Sequence, residues 1–169
     1  MNHDTLTAAR ERLSAYMLEQ LALTENRVGF TFKAQDVAPS TYNDMCVRYV
    51  IAKSTGVFPV LEAHSENTIY TAPCINHASR FIHDCEHIRQ GLDLSPSSEL
   101  KLAALTGADV VRTFGVGSLA SLLFTADTAC QVLHFCDYQE FPQNQLAFAI
   151  ACIESGKASA MQGALHHDY

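Results

Sequence analysis

The chain carries little charge and no basic excess. Of its 169 residues, only 17% are Asp, Glu, Lys or Arg, and the formal net charge is −7. A broad grip on nucleic-acid phosphates needs a basic surface, so nucleic acid is not an expected partner. Long apolar runs are also missing. The longest uncharged apolar stretch, Thr113 to Ala126, falls short of the roughly 20 residues that a membrane-spanning helix needs. It reads as a buried helix. The stretch from Met1 to Glu11 is polar and charged, without the apolar centre or small-residue cleavage site of a secretory leader. Six cysteines are present, yet no two form a Cys-x-x-Cys pair. Reduced, buried thiols and a cytoplasmic chain are therefore expected. No repeat, low-complexity tract or linker interrupts the sequence. Its length suits a single helical domain spanning residues 1–169.

What is present is helical patterning. Asp4 to Leu23 carries Leu13, Met17 and Leu21 at helical spacing behind a cap at Asp4 or Thr5. Val28 to Phe32 alternates over a few residues, as a short strand or an extended loop would. Pro39-Ser40-Thr41 stops one element and caps the next, a helix over Tyr42 to Ser54. Gly56 to Pro73 reads as irregular. A third helix is expected from Cys74 to Gln90, closed by Gly91, because glycine takes the left-handed conformation there without steric cost. Ser95-Pro96 is an N-cap followed by proline at the first helical position, opening a fourth helix to about Arg112. A fifth, apolar on most sides, runs to about Asp137, and a sixth covers about Gln143 to Ser155. The expected fold is all-α, an irregular bundle of about six helices.

The chemistry concentrates in His83-Asp84-Cys85-Glu86-His87 and, after eleven intervening residues, in Glu99. At about 100° per residue, Ile75, Ala78, Phe81, Ile82, Cys85 and Ile88 share an apolar arc. His83, Asp84 and His87 lie together on its flank. Packing on one side and access on the other is what a metal ligand set needs. His83 and His87 stand at i and i+4, so both rings can reach one ion. Asp84 comes in from the side, and Glu99 can fold back across the Gly91 turn. Two nitrogens and two oxygens suit zinc, and also iron or manganese. The same residues also make sense without a metal: Asp84 or Glu86 can pair with Arg80 or Arg89 at helical spacing, and Glu99 suits a helix N-terminus.

This pattern, His83-Asp84-x-x-His87-x11-Glu99 followed through Gly91, resembles the signature of the coenzyme Q biosynthesis protein 4 family of ubiquinone biosynthesis. The resemblance covers about 20 residues, roughly 80 to 104. It implies that His83, Asp84, His87 and Glu99 are the metal ligands, usually for zinc, in an all-helical protein that handles a quinone precursor with a long apolar tail. It also implies an association with membrane surfaces and with ring modification, including oxidative removal of the ring carboxyl. The expected partners are thus an apolar quinone or lipid and a peripheral contact at the inner membrane face. Apart from the resemblance, a second copy of the chain is also an expected partner.

His77 lies near Asp84 on the helical wheel and is expected to orient that carboxylate from behind the ligands. Cys85 belongs to core packing, and Glu86 points to solvent. His134, Asp137 and Glu140 end the fifth helix, as further ligands or as a solvated helix end. His166, His167 and Asp168 receive no role. Gly115-x-Gly117 matches a relaxed dinucleotide fingerprint but lacks the preceding strand that the fingerprint requires. Two other functions compete. An HD-type metal-dependent phosphohydrolase would use His64 or His77, the His83-Asp84 doublet and Asp137. A non-enzymatic helical scaffold would hold a structural metal.

Overall fold

Helix signals in the sequence become helices wherever a cap closes them. A computed structural model describes residues 1–166, with α1 (His3–Val28), β1 (Thr31–Gln35), α2 (Tyr42–Thr55), β2 (Val57–Leu61), α3 (Pro73–Gln90), α4 (Pro96–Phe114), α5 (Leu119–Thr125), α6 (Gln131–Tyr138), α7 (Gln145–Glu154) and α8 (Lys157–Leu165). A π-helical segment, Ala126–Cys130, joins α5 to α6, so Leu119–Tyr138 is one continuous helix. The protein is mostly helical, as expected. Among the described residues it departs from all-α only in a small parallel sheet of two strands.

That sheet corrects the reading of Gly56 to Pro73 as irregular. β1 and β2 pair in register from Thr31↔Val57 to Gln35↔Leu61, with α2 as the crossover. Alternation places Phe58 and Val60 inside, at 0% and 1% exposure. Pro59 disguised the strand. It is tolerated because each strand of a two-stranded sheet has an open edge where a missing N–H costs nothing. α1 also runs further than the expected end at Leu23, to Val28. α8, in a stretch with no assigned element, is a further helix.

Contacts divide the chain into two units. One comprises Ser14–Glu66 and Tyr70–Leu94. Its core is Phe30, Met45, Ala52, Phe58, Val60, Phe81 and Cys85. Phe81 of α3 is fully buried, with ring centroids 5.3 Å from Phe32, 6.1 Å from Phe30 and 6.1 Å from Phe58. α3 is thereby clamped on the sheet. Polar ties complete the clamp: Arg80 donates to the Leu61 carbonyl at 2.6 Å and the Ala63 carbonyl at 2.7 Å, just where β2 ends.

The other unit comprises Met1–Leu13, Asn67–Ile69 and the chain from Ser95 on. Leu119–Tyr138 is its centre. This helix is 20 residues long with mean hydropathy 1.3, enough by length and composition to cross a membrane, yet 56% of that apolar window is buried inside the fold. The apolar run in the sequence stops at Asp127, whereas the helix continues past that residue to Tyr138. Gln162 of α8 stitches this unit together. Its Oε1 accepts from the Gly117 N–H at 2.7 Å and its Nε2 donates to Thr125 Oγ1 at 3.3 Å. Gly117 is thus a turn residue at φ 71° held by a side chain, and α4, not a strand, precedes it.

Candidate metal centre

The cap that ends α3 also sets the chemistry of its last histidine. Gly91 sits at φ 64°, in the left-handed region. Its N–H reaches the Ile88 carbonyl at 3.2 Å, and the Leu92 N–H reaches the His87 carbonyl at 3.0 Å. This is the paired closure in which a glycine reverses the chain and an apolar residue follows it. Leu92 is then returned over the last turn, and its own carbonyl lies 3.0 Å from His87 Nδ1. A carbonyl oxygen only accepts, so Nδ1 carries the proton and His87 donates to Leu92. His87 is 0% exposed, so this bond fixes both the ring and its tautomer.

The consequence falls on the other nitrogen. With the proton on Nδ1, neutral His87 presents a lone pair at Nε2, aimed at His83 Nε2 only 2.9 Å away. The two rings stand nearly perpendicular, at 77°, with centroids 4.5 Å apart. Without an ion, His83 must donate a proton into that gap. With one, both lone pairs converge on it. Tetrahedral zinc at about 2.0–2.1 Å from each nitrogen would hold them about 3.3 Å apart, so the rings need only a few tenths of an ångström of adjustment. Ligand-bound histidines characteristically have the far nitrogen tied to a carbonyl or carboxylate, as Nδ1 of His87 is here.

Glu99 belongs to the other unit. It lies in the first turn of α4, which Ser95 caps by accepting from the Ser98 N–H at 3.4 Å. Within their own unit, His83 and His87 converge two imidazole nitrogens that can hold a metal ion, with His87 buried and His83 half-buried. Asp84 does not join them. As the residue after His83, it leaves the helix about 100° further round.

His77 has a different partner from the one expected. Its buried Nε2 donates to the Glu62 carbonyl at 3.1 Å, which ties α3 to the chain leaving β2 rather than to Asp84. β2 was not foreseen, so neither was the acceptor at its end. Glu86 is likewise not solvated. It is buried at 7% exposure and takes Arg27 at 2.6 Å on one oxygen and Arg89 at 2.6 Å on the other. Cys85 does pack in the core, and burial, with Asp84 adding to it, pushes its thiol well above the usual range. Among the described residues the cysteines are free, with Cys85, Cys130 and Cys152 buried and Cys74 and Cys136 exposed.

Neither His64 nor His77 nor Asp137 enters any close set of metal-ligand side chains among the described residues. His134 and Asp137 instead line a cleft within the second unit. His166 is buried, and its ring lies where a Cβ on Gly107 would fall, 2.9 Å from Nε2. His167 and Asp168 lie outside the described residues. Searches against protein-family models, curated proteins and solved structures found no match for this chain.

Proposed function

We propose that this chain is a metal-dependent helical protein related to the coenzyme Q biosynthesis protein 4 family, holding zinc through His83, His87 and Glu99. The observation that carries the reading is the 2.9 Å approach of two Nε2 atoms, one with its tautomer fixed by Leu92. A bound ion would supply a Lewis acid or an activated water. His87 would anchor it, buried and immobile. His83 and Glu99, both half-buried, would form the accessible side. Asp84, one position from His83, would serve as a fourth ligand or a base after a rotamer change. The substrate on this reading is an apolar aromatic such as a quinone or its lipid precursor. It would be met by a cytoplasmic protein in peripheral contact with the inner membrane face.

Elemental analysis of protein purified without chelators tests the base of this reading. About one zinc, iron or manganese per chain is expected, lost in His83→Ala and Glu99→Ala. A metal-free chain that takes up none of these ions on titration would end it. A structural metal in a scaffold protein is the second reading, favoured by the complete burial of His87. Cobalt substitution separates the two. A spectrum that shifts on adding a small exchangeable anion indicates an open position, and an unresponsive one indicates a closed site.

A further inference from the structure

The second unit has a cleft of 440 Å³ where Leu119–Tyr138 meets α7 and α8. That volume falls within the roughly 300–1,000 Å³ of small-molecule sites, which are mostly apolar with a few placed polar groups. Its lining has this composition. Cys130 and Cys152 are buried in it, and burial pushes the Cys130 thiol up to about 12, so it stays neutral and acts as apolar surface. Met161 and the small side chains of α8 extend that surface. An aromatic wall stands beside it. The His134 ring is 4.6 Å from Tyr138 and 5.1 Å from Phe148, centroid to centroid, with the latter pair edge-on. Tyr138 is 66% exposed, a large aromatic surface left to solvent beside the cleft.

Beyond His134, the cleft holds one fixed charge of each sign, Lys157 and Asp137. Among the described residues neither side chain makes an ion pair or hydrogen bond, with the other or with any third group. This limits the ligand. A simple anion would satisfy Lys157 but face Asp137, and a simple cation would do the reverse. An uncharged apolar ligand would cover both charges and pair neither, which burial penalises. A compact zwitterion with an aromatic body satisfies every feature. Its carboxylate meets Lys157, its ammonium meets Asp137, and its ring lies along the aromatic wall over the thiols and Met161.

We propose that this cleft is a binding site for a free aromatic amino acid. It involves none of the candidate metal ligands and stands independently of them. The test is calorimetric titration of the intact protein with L-phenylalanine, 3-phenylpropionate and phenethylamine, the last two lacking the ammonium and the carboxylate respectively. L-Phenylalanine is expected to bind at least tenfold more tightly than either analogue. Lys157→Met and Asp137→Asn should each weaken it at least tenfold. Both side chains are exposed, so unchanged circular dichroism is expected and verifies that the fold is intact. His83→Ala should leave the affinity unchanged. L-Phenylalanine binding no tighter than 3-phenylpropionate, or binding that survives both charge substitutions, would overturn the proposal, as would no detectable binding at millimolar ligand.

Discussion

His83 and His87 look equivalent in the sequence, but the structure predicts that their removal has different consequences. His83 is half-buried, and its Nε2 lies within hydrogen-bond distance of His87 Nε2, at 2.9 Å. Without metal, His83→Ala should cost roughly 1 kcal/mol, the net worth of one hydrogen bond. His87 is fully buried and its Nδ1 satisfies the Leu92 carbonyl at 3.0 Å. His87→Ala strands that carbonyl, at roughly 1–3 kcal/mol, and opens a ring-sized cavity that brings the total to about 3–4 kcal/mol. Zinc at a hundredfold excess over its dissociation constant should stabilise the wild type by about 2.7 kcal/mol and neither variant. For a chain of this size, that increment is a rise of about 5–10 °C in melting temperature. Thermal unfolding followed by circular dichroism, with zinc and with chelator, reads both effects. If zinc stabilises His83→Ala as much as wild type, the histidine pair is not the ligand set. If His87→Ala costs no more than His83→Ala in chelator, the Leu92 tie does not fix the ring.

Three other perturbations probe the supports around the site and the second unit. Glu86→Ala should destabilise by about 2 kcal/mol in urea unfolding: the carboxylate is buried between Arg27 and Arg89, but both arginines are roughly half-exposed and can recover water. Gly107→Ala should cost about 1–2 kcal/mol, because its Cβ would lie 2.9 Å from the buried His166 ring; a neutral result would show that the ring moves aside freely. Burial lowers the His166 pKa below its ordinary value of 6.5. The unfolded chain therefore binds this proton more readily than the folded one, and stability should fall as pH drops below about 6.5. His166→Gln should flatten that acid limb, as measured by urea midpoints from pH 7 to pH 5.

The sequence was legible wherever a structural decision is local. Ser95-Pro96 and Gly91 mark the ends of α4 and α3 because a cap is chosen within four or five residues. The i, i+4 placement of His83 and His87 and the side-on position of Asp84 follow from helical geometry alone. What escaped depends on distant partners. Glu86 reads as solvated until Arg27, 59 residues earlier, is brought to it. His77 reads as a helper of Asp84 until β2 delivers the Glu62 carbonyl. α8 escaped for a different reason. Its buried positions include Ala158 and Gln162, a small residue and a polar one, so no apolar stripe announces it. The fixed tautomer of His87 is the intermediate case. Every residue it needs is local, yet none belongs to the ligand pattern. A glycine that reverses the chain and a leucine that supplies a carbonyl decide which nitrogen of His87 can bind a metal. Ligand spacing therefore identifies the candidates, and the turn beside them determines whether they can act.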